Sequence, residues 1–404
     1  MSQVRTSSRK VSHGAGFWIV AIAFLLVMAY STVPTPLYPL YQELDHFPVS
    51  VVTVIFAAYA VGVVFSLFFL GHISDWTGRR RMLVIAVLVS AVSAVMFLAV
   101  MSVPGLIAAR LVNGVSVGIL TATATAHLGE LRQAARPDEN AIVAASVAGA
   151  ANIGGLALGP LIGGLFAEFL PDPLVLPHVV FLVVLLLAAV ALLAVPETVA
   201  TPEPRPAYRP QRLAAPPASR RIFVAAGFGA FAGFALFGLF TSLAPTFLAG
   251  TFDQHDHLVA GATTFSVFGA AAAAQVLLAR VPVRVQLGIA RLACAVGLVL
   301  VATGAVLPNL ALFLVGGVVS GVGVGLLFKA SIATASALAD PSRRGETLAL
   351  IFLIAYCGLA LPVLAVGVFL TFVDQTVVLL IFAALVFVAT VVAATMMRAR
   401  KARA

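Results

Sequence analysis

Charge is scarce in this chain. Of its 404 residues only 10% are Asp, Glu, Lys or Arg, while 62% are hydrophobic, and the mean hydropathy is +1.11. Soluble domains carry about 25% charged residues, so this composition excludes water as the solvent of the folded surface and leaves lipid. Cysteine is nearly absent: Cys294 and Cys357 both fall inside apolar runs, which excludes a disulfide framework. Catalytic signatures are missing too. His127-Leu-Gly-Glu130 lacks the second histidine of a zinc-protease helix, and neither a G-x-S-x-G elbow nor a phosphate loop occurs. The expectation is therefore no enzyme, no metal and no cofactor. Asp253-Gln-His255-Asp256-His257 reads as a solvated loop rather than an ion site.

What the chain has instead is long apolar runs. At ~20 apolar residues per membrane crossing, they place helices near 16–40, 50–70, 82–102, 105–130, 139–167, 174–195, 221–249, 258–279, 286–307, 309–337, 346–371 and 376–397, twelve in all. The first is too long for the apolar core of a signal peptide and lacks a small-x-small cleavage site, so it belongs to the mature protein. A net charge of +9 would suggest nucleic acid in a soluble chain, but the distribution of the basic residues gives another answer and no nucleic acid is expected. Every second connection holds them: Arg79 to Arg81, Arg132 and Arg136, Arg205 to Arg221, Arg280 and Arg284, Arg343 and Arg344, with both tails. The alternate connections hold none and carry Glu43, Asp45, Glu168, Asp172, Asp253, Asp256 and Asp374. Cytoplasmic loops collect Lys and Arg, so both termini are expected in the cytoplasm and the protein in the inner or plasma membrane.

Residues 196–220 interrupt the apolar pattern with seven prolines and four arginines, a composition that forms neither helix nor strand. The expected organisation is a tail over 1–15, a six-helix bundle over 16–195, this cytoplasmic linker over 196–220, a second bundle over 221–397 and a basic tail over 398–404. The two bundles repeat one another. NGVSVGIL at 113–120 matches SGVGVGLL at 320–327, and GLALGP at 155–160 matches GLALP at 358–362. Repeated halves place a binding site at their interface near the bilayer midplane.

The connection at 71–83 reads GHISDWTGRRRML. Gly71 admits a close neighbour, Asp75 supplies a lone carboxylate, Gly78 permits a tight reversal, and Arg79, Arg80 and Arg81 anchor the turn at the inner face. This stretch resembles the signature loop of the major facilitator superfamily, G-x-L-a-D-r-x-G-r-R-x-x-l, at Gly71, Asp75, Gly78, Arg79, Arg80 and Leu83, and departs from it at Ile73, Ser74 and Trp76. The resemblance implies an all-α membrane protein of twelve helices in two pseudo-symmetric six-helix bundles. It also implies a gate: Asp75 meets the amino end of the eleventh helix, here Gly345 and Glu346, when the protein opens outward, with Arg79 and Glu130 completing a relay.

Other motifs lie within the spans. The fourth carries Leu106, Arg110, Asn113, Gly114, Ser116 and Gly118, resembling a second superfamily motif built around an intramembrane arginine. Arg110 lies about 8 Å inside the outer boundary at 1.5 Å per residue, and an always-charged group there faces either a cavity or the headgroups. Glu168 and His178 are its expected titratable neighbours, and proton coupling is assigned to Arg110, Glu168 and His178. The fifth span holds Gly155, Gly159, Pro160, Gly163 and Gly164. This string resembles a motif associated with proton-driven antiporters, with Ser146 in place of its first glycine. Three prolines, Pro34, Pro36 and Pro39, distort the end of the first span, and Pro196-Glu197-Thr198 resembles a string that closes the sixth.

No acid falls in the middle of a span, which weakens a cation-exporting reading. Arg291 and Lys329 lie near the inner boundary; if either faces inward, neutral, zwitterionic or anionic cargo is favoured. Polarity alone assigns the cavity to Tyr30, Thr35, Tyr38, Asn113, Asn152, Thr241, Gln275 and Tyr356. The sequence-based expectation is a monomeric secondary transporter resembling the drug:proton antiporter branch, with a small-molecule substrate, protons and the bilayer as partners. The alternative is a proton-coupled importer or facilitator of a sugar or small metabolite.

Overall fold

The computed structural model describes residues 10–200, 208–216, 219–340 and 343–398. Arg5, Arg9, Pro202, Pro204, Arg205, Pro206, Pro217, Arg400, Lys401 and Arg403, which belong to the tails and the linker, lie outside the described residues.

The described residues are helical without a strand. Helices α1 (His13–Thr32) and α2 (Tyr38–Asp45) form the first span, followed by α3 (Val49–Phe69), the short α4 (Ser74–Thr77), α5 (Arg79–Ala99), α6 (Val103–Ala135), α7 (Ile142–Phe169) and α8 (Leu176–Leu193). After the linker come α9 (Arg220–Phe252), α10 (His257–Leu277), α11 (Val283–Val306), α12 (Leu310–Leu338), α13 (Arg344–Phe369) and α14 (Gln375–Arg398). Twelve of these units are long and apolar enough to cross a bilayer. With an even number of crossings the described residues begin and end on one face, which also carries α4 and the described part of the linker and is called the linker face below. The opposite one is the far face.

Three spans depart from the sequence expectation. The first span is broken rather than continuous, because Pro34 and Pro36 lack the N–H groups that would continue the ladder and Thr35–Leu37 tightens into a 3-10 turn. Helices α6 and α9 each run 33 residues, beyond the apolar windows. In α6 the polar end around His127, Glu130 and Arg132 stays helical where the composition turns hydrophilic.

Glycine decides how closely the spans approach. In α7 the Cα positions of Gly155, Gly159 and Gly163 press on the carbonyls of Leu25, Ala29 and Val33, four apart on both helices, and none has room for a Cβ. The interface is thus backbone against backbone, as small-residue stripes in membranes produce. The internal repeat reappears in this packing. Gly114 of α6 sits on Tyr59 O of α3, and its counterpart Gly321 of α12 sits on Val267 O of α10. Gly155 of α7 meets α1 as Gly358 of α13 meets Phe231 of α9. Six spans on each side of the linker therefore share one packing scheme, and the halves touch through α7 with α10 and α3 with α13.

Candidate functional site

The turn at 71–83 is held from three directions. Gly78 adopts φ +106°, a backbone region that L-residues with side chains avoid, and α5 starts directly after it. The first amides of α5 lack helical partners, and Glu197 supplies them: its carboxylate accepts from Arg79 N at 2.8 Å and Arg80 N at 3.1 Å. Glu130 on α6 receives the Arg79 guanidinium at 3.0 Å and the Thr198 hydroxyl. Arg79 also donates to Ser74 Oγ and Asp75. Asp75 itself is 60% exposed, while Glu346 pairs with Arg343 at 2.8 Å. The structure thus brings Asp75, Arg79 and Glu130 together with Arg80 through Glu197, and leaves the amino end of α13 to its own arginine. In the sequence Glu197 stands out only as part of a closing string. No local signal reveals that it caps a helix whose first residue lies 118 positions earlier.

Between the halves lies a cavity of about 410 Å³. Its wall includes Thr32, Tyr59 and Arg110 at one end and Ile142, Ala279, Ile332 and Leu348 at the other, where α7, α10, α12 and α13 approach the linker face. Asn152, Thr241, Gln275 and Tyr356 stand in the wall. Tyr30, Thr35, Tyr38 and Asn113, also assigned there from polarity, do not. The Tyr30 hydroxyl is taken by His178, Thr35 and Tyr38 are buried in the bent end of the first span, and Asn113 turns its amide to Ser90 of α5. Polarity identifies residues that avoid lipid, yet a bundle interior satisfies that need as well as a cavity does. The aromatic wall of Phe56, Phe234, Phe237, Phe268, Phe328 and Phe352 escapes the sequence reading, because phenylalanine in an apolar run carries no mark of which way it faces.

Arg110 is only 2% exposed and lines the cavity. One guanidinium nitrogen donates to Ser31 O at 2.5 Å, and the group lies over the Tyr59 ring at 4.5 Å and the Phe56 ring at 5.8 Å. Aromatic faces attract cations strongly where water is excluded. Among the described residues no hydrogen bond or ion pair joins Arg110, Glu168 and His178 to one another; each has other partners. His178 is fully buried, accepting or donating through both ring nitrogens to Tyr30 at 3.1 Å and Tyr41 at 3.0 Å, with Phe97 stacked on its face at 4.7 Å. Glu168 lies on the seam between the halves, accepting from His257 N at 3.1 Å with the His257 ring nitrogen 3.5 Å away.

The far face is closed along that seam. Gly164 of α7 abuts His257 and Leu258, and Gly261 of α10 abuts the carbonyl of Pro160. Gly367 of α13 abuts Thr53 of α3. So the glycines of the fifth-span motif serve two contacts: Gly155, Gly159 and Gly163 hold α1, and Gly164 holds the other half. In the acidic and histidine-rich loop at 253–257, His255 pairs with Asp253, Asp256 caps α10, and His257 serves the seam. No cluster that could hold a metal occurs among the described residues.

A family model described as Major Facilitator Superfamily matches residues 19–307, more than half of the chain. The chain belongs to the Major Facilitator Superfamily. No curated protein sequence matches it. Among solved structures of the superfamily fold, a mutant form of the nucleoside transporter NupG is similar at a TM-score of 0.71 and 14% identity, covering 94% of this chain and 99% of that one. The human organic anion transporter MFSD10 (TETRAN) gives 0.66 at 18% identity, covering 95% and 100%. Major facilitator membership makes this a multi-pass membrane transporter with a small-molecule substrate, and its central cavity, sealed on one face, is the candidate substrate site.

Proposed function

We propose that this transporter expels a small apolar or weakly charged organic molecule from the cytoplasm in exchange for protons, with the two halves rocking about the central cavity. The observation that carries this reading is the cavity itself, closed on the far face by α7 against α10 and α3 against α13 and extending toward the linker face. A packed seam on one side and an accessible site on the other is one end state of alternating access.

The linker face is the cytoplasmic one in this reading. The far-face connections at 46–48, 100–102, 170–175, 253–256, 307–309 and 370–374 contain no Lys or Arg, which supports that orientation. Outward movement against protons is supported by the resemblance of the fifth-span glycine string to the motif of proton-driven antiporters, and its Gly164 lies on the contact between the halves. Glu168 is the carboxylate best placed to exchange protons, since it is already accessible to solvent at the far face and opening the seam removes it from His257. Uptake into vesicles of known orientation, with and without an imposed proton gradient, tests the reading. Gradient-driven accumulation in inside-out vesicles is the expected result; accumulation only in right-side-out vesicles makes the protein an importer.

A further inference from the structure

We propose that the central cavity is built for an organic anion, a molecule with a flat apolar body and one carboxylate or comparable negative group. This rests on the transporter reading and narrows its cargo.

The charge inventory of the cavity is one-sided. Arg110 and Lys329 both stand in its wall, and no Asp or Glu does among the described residues. Four cations outside it meet a carboxylate: Arg79 with Asp75 and Glu130, Arg132 and Arg136 with Glu139, Arg343 with Glu346. The two cavity cations receive neutral groups instead. Arg110 has one carbonyl and two aromatic faces, and its buried Nε has no acceptor at all among the described residues. Lys329 has the single carbonyl of Gln275. Holding Arg110 buried without a counter-charge is costly in a low-dielectric interior, and that cost is relieved by a ligand that brings the missing negative charge. A cationic ligand would meet two like charges and no carboxylate.

The two cations also occupy different depths. Arg110 is on the second turn of α6 from the far face, at the closed end beside Thr32 and Tyr59. Lys329 lies past the middle of α12, toward the end of the cavity where Ala279, Ile332 and Leu348 lie. An anion arriving from the linker face therefore passes Lys329 first and has Arg110 ahead of it. Phe234, Phe237, Phe268, Phe328, Phe352 and Tyr356 between and around them supply apolar surface for the body of the molecule.

The test uses the full chain in lipid nanodiscs and three probes of one shape: 2-naphthoate, 2-naphthalenemethanol and 2-naphthylmethylammonium. Affinities are measured by thermal stabilisation and by competition. The expected order is naphthoate tighter than the alcohol and the alcohol tighter than the ammonium. Lys329→Gln should weaken naphthoate about tenfold or more while leaving the alcohol unchanged, and Lys329→Arg should retain naphthoate binding. Equal or tighter binding of the ammonium overturns the proposal, as does naphthoate affinity indifferent to Lys329→Gln. If the glutamine variant does not fold, the order of the three probes on the unaltered protein decides alone. Naphthoate binding by a protein whose far face never opens would remove the transport reading and keep the anion site; opening without preference for naphthoate would do the reverse.

Discussion

Glu168 of α7 accepts a hydrogen bond from the backbone amide of His257, the first residue of α10, at 3.1 Å, and so ties the two halves of the transporter together at the far face. A carboxylate at a helix amino terminus is stabilised both by the free N–H and by the helix dipole.

Replacing Glu168 by Gln removes the charge and keeps the shape. The far-face seam should open more often, by roughly fivefold in population for a contact of about 1 kcal/mol. Cysteine accessibility at Thr53, which faces Gly367 across the second far-face contact, reports the change. The pH profile of transport should flatten in the same variant. An unflattened profile moves proton exchange to His178 or another group.

The glycine face of α7 makes a paired prediction. Gly154→Ala meets nothing within 4 Å and should leave the melting temperature unchanged or slightly raised. Gly159→Ala collides with Ala29 and Thr32, and overpacking of this kind costs about 1–3 kcal/mol. Melting of the two variants in the same detergent separates a tight contact from a merely glycine-rich helix.

This contrast also marks what the sequence makes legible. The twelve spans, the repeat and the glycine string follow from hydropathy and spacing, because the bilayer forces those patterns on any chain that crosses it. Which face of a span looks into the cavity does not follow. Asn113 and Asn152 are equally polar in the sequence, yet one faces Ser90 and the other the cavity. Glu197 and Glu168 owe their partners to contacts 118 and 89 residues away, which no local pattern encodes.

On the linker face, Asp75 and Glu197 should behave differently. Asp75 is mostly exposed and its pair with Arg79 contributes little to stability, so Asp75→Asn should leave melting unchanged. It should instead depopulate the outward-open state, in which the carboxylate is expected at the amino end of α13. Glu197→Gln weakens the cap on two amides of α5 and should lower stability by about 1 kcal/mol. Melting curves and accessibility labelling, run on both variants, distinguish a latch from a cap.

Arg110→Ala should lower transport by about a hundredfold or more while folded protein is still recovered. Transport by the purified variant in liposomes checks this. Full activity would make Arg110 a structural cation only.

Paired spin-label distances test the central claim most directly, one pair across the far-face ends of α7 and α10 and one across the linker-face ends of α6 and α12. Addition of a transported substrate should lengthen the first distance as the second shortens, in the same samples. Distances that stay fixed, or that lengthen together, would contradict two halves rocking about a shared cavity.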